Sequence, residues 1–494
     1  MRLVGRCFVA LLSILNVAGA QTSDPPARQI LGRALGPTPI LTDLEQLVDG
    51  IGGRPSGSSA LDQAVEWGVG KFRTAGLENV HVEPYTAPIL WLPGGELAEV
   101  LQPTSRSLHV AALPFSSGTG PNGIDAEIVS VGHGGDADFA RASDKLRGRW
   151  VLVETDPMHS NDDLDKEYLI GPRIFLAARQ AGAVGVLWTS TRAGRLLYRH
   201  PVGFDDTIAP LPGAMIDRED ALRISRALSA GQAVRVRVTT TPKILYSVRL
   251  VNIVGEIRGG SNPGESVVLG AHLDSWDLGQ GALDNGCNAV LVIDAARQMA
   301  VVAKAGRPSR TIRFVLFTGE EAGFLGSRAD ARAHRAELDR TVAVITLDEG
   351  TGRTTGFSTG GRADLVEAVD AALGAVNGFG PFTQTTDAFV GTDNYDYLVE
   401  GVPNFVANQD ADAYLLSYHA SSDTLDKVDS RELKVNTAIA AVFAWELADA
   451  ASPPGPRQTR SEVESLVIRT GLDKNMKAFR LWDDFVSGAR GRAP

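Results

Sequence analysis

Residues 267–300 run VVLGAHLDSWDLGQGALDNGCNAVLVIDAARQMA, and their texture decides the fold. Val267–Leu273 is an apolar run of strand length, and Asn288–Ala300 is a largely apolar run long enough for a helix. Between them lies a polar, glycine-rich connection carrying His272, Asp274 and Asp284. The alternation repeats downstream, as strand Thr311–Thr318, helix Phe324–Ala336 and strand Val342–Leu347. Strands alternating with helices predict an α/β fold, a mixed β-sheet flanked by helices. Such sheets collect their sites at the C-terminal ends of the strands.

Outward from this stretch the texture changes twice. Upstream, Thr42–Ala75 reads as two helices around the loop Gly50–Gly57, with Leu61, Val65, Val69 and Phe72 at helical spacing and Gly76 as the stop. Val80–Tyr85 alternates as a strand. From about residue 101 to 244 short strands (Glu127–Val131, Trp150–Glu154, Val184–Thr189, Val234–Val238) alternate with Gly, Pro and Asp clusters, and one helix stands out at Pro172–Ala181. This section is expected to be a small β-rich domain inserted between residues 21–100 and 245–455. Pro453-Pro454-Gly455-Pro456 then breaks the chain. Beyond it, residues 456–494 are expected to form a helical extension: Ser461-Glu462-Val463-Glu464 has the form of a capping box, and the stripe Leu472, Met476, Phe479, Trp482 and Phe485 docks on the body.

The N-terminus has its own signature. Arg2 and Arg6 precede an apolar run from Cys7 to Val17, and Ala18-Gly19-Ala20 follows. That order is a secretory signal peptide, residues 1–20, and points to a secreted or periplasmic protein. No later segment reads as a membrane span, a role that takes roughly 20 apolar residues. The formal charge is −11, and removing the signal takes away only cations. So acidic a surface repels phosphate backbones and argues against nucleic acid as a partner. Past Cys7 the only thiol is Cys287, so neither an internal disulfide nor a zinc–thiolate site can form.

The candidate chemistry sits at strand ends. His272 closes one strand, and Asp274, on the same side by period-two alternation, is placed to orient it. Asp284 precedes a helix; such an Asp is commonly an N-cap, but its two oxygens could also bridge two cations. Glu320 and Glu321 follow the next strand, Asp348 the one after, and His419 lies in a loop with Asp423 available to support it. Taken singly, these are a satisfied core histidine, solvated glutamates and a capping aspartate. Together they bring three carboxylates and two imidazoles to one sheet edge, a donor set suited to zinc. The other six histidines, His81, His109, His133, His159, His200 and His334, are expected on the surface or in the core.

These segments resemble the co-catalytic zinc peptidase family that includes carboxypeptidase Q and the bacterial zinc aminopeptidases, and are nearest in pattern to carboxypeptidase Q. The likeness is carried by Gly270–Gly286, Thr318-Gly319-Glu320-Glu321, Gly391-Thr392-Asp393, Gly401-Val402-Pro403 and His419 to Thr424, and spans about residues 40–450. It implies a zinc-exopeptidase-type sheet with a protease-associated insert. It implies two zinc ions per chain held by His272, Asp284, Glu321, Asp348 and His419, with Asp284 bridging and a cis peptide after it. Glu320 is then the general base acting on a water between the two zincs. It also implies a homodimer acting on dipeptides or short peptides, with an aminopeptidase as the alternative. A glutaminyl cyclase on a related fold would have little use for the insert. The contrasting reading is a receptor-like, non-catalytic binding protein of the same architecture, against which the complete ligand set weighs. Asn285 departs from the family's frequent Asp, and Cys287 and Asn288 from glycines, beside the bridging residue. A peptide-terminus pocket is expected to draw on Asp393, Tyr395 and the insert.

Overall fold

The structure is a computed structural model that describes residues 24–493, the side chains of residues 412 and 413 aside. The expected signal segment, with Cys7, lies outside the described residues. One sheet has seven strands. In spatial order they are Glu78–Leu92, Lys243–Ile257, Arg310–Phe317, Asn262–His272, Thr341–Thr346, Asn404–Gln409 and Thr354–Ser358. The four from Arg310–Phe317 to Asn404–Gln409 are mutually parallel, with His272 opposite Phe317 and Gly270 opposite Thr346. Their C-terminal ends therefore open on one edge, and the connections leaving that edge carry the site.

Burial on both faces explains the near-continuous apolar strands. Val267, Leu269 and Ala271 point into the main core beneath helices Cys287–Ala303 and Ser430–Asp449. Val268 points to the other face, with Val315, Val344 and Tyr397. The first helix of that pair is longer than expected. With the turn before it, Ala282–Ala303 is, among the described residues, the one helix long and apolar enough to cross a membrane, contrary to the expectation of none. Its apolar window is 83% buried inside the protein, so the composition is that of a core helix. Upstream, the two expected helices are Ile40–Val48 and Ser59–Ala75, the second capped by the Ser58 side chain. A further helix, Pro26–Leu35, was not anticipated, because only Ala27, Ile30 and Ala34 of it are buried.

A second sheet of nine strands takes in residues 96–240. Strand Glu96–Gln102 belongs to it, paired with Arg235–Thr240, so the passage between sheets falls before residue 96 rather than at 101. It is also less purely β than its sequence suggests. Ile124–Ser130, Trp150–Val153, Gly185–Thr189 and Ala209–Ile216 run parallel, and helices Asp136–Leu146, Asn161–Gln180 and Arg218–Ser229 accompany them. The short helices escape a periodicity reading because each buries two or three residues. The expected helix at Pro172–Ala181 is the second half of Asn161–Gln180, with Pro172 inside it.

In the C-terminal extension, Leu472, Met476, Phe479 and Phe485 share a buried cluster with Tyr395, Leu398 and Val399, and the local structure around them differs from the sequence reading. Its capping box is Thr459 with Glu462, not one beginning at Ser461: Thr459 N donates to Glu462 Oε2 (2.6 Å) and Glu462 N to Thr459 Oγ1 (3.4 Å). The apolar stripe is split between Leu472–Ala478 and Trp482–Ser487, because Arg480 takes a left-handed φ of 59°. Its tail ends in a buried bidentate pair, Arg490 Nε and Nη2 to the Asp396 carboxylate at 2.8 and 2.7 Å. Removing one partner of such a pair leaves an uncompensated buried charge, at a cost of about 3–5 kcal/mol. Arg490→Met should therefore lower the urea midpoint by a corresponding amount; an unchanged midpoint would show that the tail contributes nothing to holding the body.

Candidate metal centre

The candidate ligands lie on four connections that leave the open edge of the seven-stranded sheet, with His272 and Asp284 on the same one. His272 ends its strand, and its Nδ1 lies 3.0 Å from the backbone carbonyl of Asp274. A carbonyl can only accept, so Nδ1 carries a proton, which leaves Nε2 as the nitrogen that would face a metal. Nε2 is 2.9 Å from Asp348 Oδ1 and 3.3 Å from Asp284 Oδ1. His419 repeats the device: Nδ1 donates to the Arg199 carbonyl at 2.9 Å, while Nε2 faces Glu321 Oε2 at 2.8 Å and Asp284 Oδ2 at 3.3 Å. Asp284 thus presents one oxygen to each imidazole. It sits in the irregular turn Ala282–Gly286, and its peptide bond to Asn285 is cis. Glu320 and Glu321 are delivered by Gly319 at φ 75°, where a Cβ would stand 2.8 Å from the Tyr85 hydroxyl oxygen, so only glycine fits.

Two supporting roles differ from expectation. The orienting acceptor for His272 is the Asp274 carbonyl; the Asp274 carboxylate instead accepts from Ser56 Oγ at 2.7 Å and Glu320 N at 3.3 Å. Asp423 does not orient His419. Its carboxylate accepts from Leu283 N (2.6 Å) and Asp284 N (3.2 Å), fixing the turn that carries Asp284. Three contributors were missed. Buried Arg54 donates to the carbonyls of Leu273, Gln280 and Gly281 at 2.5, 3.0 and 3.0 Å, and Ser56 and Arg199 act as above. The lone arginine in the Gly-rich Gly50–Gly57 loop was a readable signal; Arg199 had none. Asn285 donates to the Leu347 carbonyl at 2.9 Å, tying the turn to the strand end that carries Asp348.

The residues fit a metal. Asp284 Oδ2 and Glu321 Oε1 are buried without a hydrogen-bond partner, and His272, Asp284 and Glu321 have ligand atoms within 4.8 Å of one another. Oxygen donors facing two imidazole nitrogens are a zinc-type donor set. Burial pushes the Glu320 and Glu321 carboxyls well above the usual range, with neighbouring carboxylates adding to it. It presses His419 down to about 4. Such clustering of carboxylates is costly without a cation to offset it. Of the residues expected at a peptide-terminus pocket, Tyr395 is wholly buried beneath the Arg490 guanidinium, 4.8 Å from its ring. Asp393 is also buried, and burial raises its carboxyl to about 8.

The model of Peptidase family M28 matches residues 252–444. Carboxypeptidase Q of Mus musculus is 32% identical over 411 residues, covering 82% of this chain and 84% of its own. The crystal structure of a peptidase M28 precursor from Shewanella amazonensis SB2B superposes with a TM-score of 0.79 at 28% identity, over 88% of this chain and 98% of that one. A zinc aminopeptidase from Bacillus subtilis shares the fold, with a TM-score of 0.64 at 19% identity over 87% and 98% of the two chains.

A second cluster of ligand-type side chains, Glu83, Asp330 and His334, lies apart from this centre. There Arg313 Nη2 occupies the place a cation would take. It stands 2.9 Å from both Glu83 oxygens, 2.6 Å from Asp330 Oδ1 and 3.1 Å from His334 Nε2. Burial alone would raise the Glu83 carboxyl, but His334 and Arg313 hold it well below the usual range. A carboxyl depressed on folding stabilises above its unfolded pKa of about 4.3, and that contribution fades as the pH falls toward the folded value. Glu83→Gln should leave bound metal per chain unchanged and lower stability at neutral pH, with the gap to the parent narrowing in acid. Loss of metal from that variant would refute the arginine-filled reading.

Proposed function

This chain belongs to peptidase family M28 and is a zinc metallopeptidase; we propose that it is an exopeptidase of dipeptides or short peptides, similar to carboxypeptidase Q, that works with two zinc ions. One observation carries the proposal: the split carboxylate of Asp284. Its Oδ1 faces His272, which is paired with Asp348, and its Oδ2 faces His419, which is paired with Glu321. In this reading each set would hold one ion, with the Asp284 carboxylate shared between them.

When bound, a zinc pair polarises a carbonyl and lowers the pKa of water toward neutrality. The chain's own part is to hold substrate and move a proton. Glu320, whose Oε2 lies 4.0 Å from His272 Nε2, stands at the centre but, among the described residues, pairs with no cationic side chain at closer range. In this reading its carboxylate takes the proton of the attacking water and passes it to the leaving nitrogen. Asp274 fixes its backbone through the bond from Glu320 N.

The unit built on the nine-stranded sheet is read here as a protease-associated insert. The N-terminal segment around Arg2, Arg6 and Ala18-Gly19-Ala20 is read as an export signal, which puts the enzyme outside the cytoplasm. A homodimer is part of the same likeness.

Glu320→Gln should retain metal and lose turnover by roughly 10²–10⁴-fold, the usual contribution of a general base. Near-parental turnover would remove Glu320 from the role. A panel of free dipeptides, N-blocked peptides and C-blocked peptides tests the substrate. Cleavage of free dipeptides and of N-blocked peptides with a free carboxylate is expected; cleavage confined to free N-termini would make the enzyme an aminopeptidase.

A further inference from the structure

Three of the five candidate ligands, His272, Glu321 and Asp348, sit at or within four residues of a strand end, but Asp284 and His419 do not. His419 lies ten residues past the end of strand Asn404–Gln409, in a loop where it takes a left-handed φ of 55°. A non-glycine residue held there costs of order 1–3 kcal/mol and persists only where its surroundings over-determine it. Here the surroundings come from the second sheet's unit. Arg199 N donates to the His419 carbonyl at 3.0 Å, and His419 Nδ1 donates to the Arg199 carbonyl at 2.9 Å, a reciprocal pair. Ser421 N donates to the Leu197 carbonyl at 3.0 Å, and Tyr198 bridges to Ala420. The loop is thus a short strand-like partner of residues 197–199.

The Arg199 side chain fastens this arrangement at both ends. It is 1% exposed. Nε and Nη2 grip the Asp277 carboxylate at 2.8 Å each, and Asp277 belongs to the connection between His272 and Asp284. Nη1 donates to Glu96 Oε1 at 2.6 Å and to the Ala112 carbonyl at 2.9 Å, both in the second sheet's unit. One side chain therefore sets the distance between the ligand loop of the first sheet and the backbone that aims the His419 imidazole.

We propose that Arg199 is a positioning residue for one of the two metal positions, that of His419, Glu321 and Asp284 Oδ2, so that the second sheet's unit is part of the metal centre. This rests on the two-zinc reading above. A residue that served only general stability would weaken both positions alike. Arg199 bears on one, because His419 takes both its Nδ1 acceptor and its backbone partner from Arg199, whereas the His272 Nδ1 acceptor is the Asp274 carbonyl.

The test is zinc titration of the full-length, metal-stripped chain against a competing fluorescent chelator. The parent should bind two zincs. Arg199→Met should weaken one of them by about 10–100-fold, the usual effect of losing a ligand's support, and leave the other at parental affinity. Arg199→Lys, which keeps the charge, should fall between. Asp277→Asn, which leaves Arg199 anchored on Glu96, should act in the same direction and carries the test if Arg199→Met does not fold. His419→Ala should abolish the same binding event, and adding Arg199→Met to it should change nothing further. Both events unchanged, or both weakened equally, in Arg199→Met and Asp277→Asn would overturn the proposal. A parent that binds fewer than two zincs would instead overturn the two-zinc reading on which it stands.

Discussion

Six carboxylates, those of Asp274, Asp284, Glu320, Glu321, Asp348 and Asp423, lie buried around two imidazoles at one sheet edge. Like charges at such spacing repel strongly in a low-dielectric interior, and an uncompensated one would take up a proton or unfold its surroundings. Much of the local architecture answers that constraint. Asp423 and Asp274 are satisfied by backbone N–H groups and Ser56. Arg54 brings a buried positive charge among them while spending its donors on loop carbonyls; burial lowers its pKa to about 10 against the pull of Asp423 and Asp274. What these donors leave uncompensated is concentrated on Asp284 and Glu321, where a zinc-type cation fits.

The contrast with the cluster around Arg313 sharpens this point. Glu83, Asp330 and His334 have the composition of a metal site, yet a guanidinium nitrogen already sits among them at hydrogen-bond distance from each. The same residue types therefore give opposite outcomes, and the difference is whether the chain supplies its own cation. At the sheet edge it does not, because Arg54 points to carbonyls rather than to the ligand oxygens.

The second sheet's unit bears on the same problem. His419 needs an acceptor for Nδ1 and a backbone partner for its left-handed residue, and both are supplied by Arg199. The two sheets are thus joined where the candidate ligands meet, and the 50–57 loop reinforces them from a third direction through Arg54 and Ser56.

The sequence by itself determined the α/β order, the strand ends that carry His272, Glu320, Glu321 and Asp348, and a helix over Asn288–Ala300, since apolar runs and their periods are local properties. It did not determine that helix's role: its composition suits a membrane as well as a core, and only its neighbours decide. Nor did it reveal that the strands of the second sheet's unit run parallel, which is a matter of pairing between distant segments, or its short helices, whose buried faces are too narrow to leave a period. The partners of Asp274 and Asp423 were misassigned because sequence proximity suggested a nearby histidine, whereas the carboxylates satisfy distant backbone donors. Arg54 and Arg199 act across 219 and 220 residues of chain, on Leu273 and His419 respectively. Contacts of that separation have no signature in spacing; they exist only once the sheets have closed and buried charge must find a partner within a few ångströms.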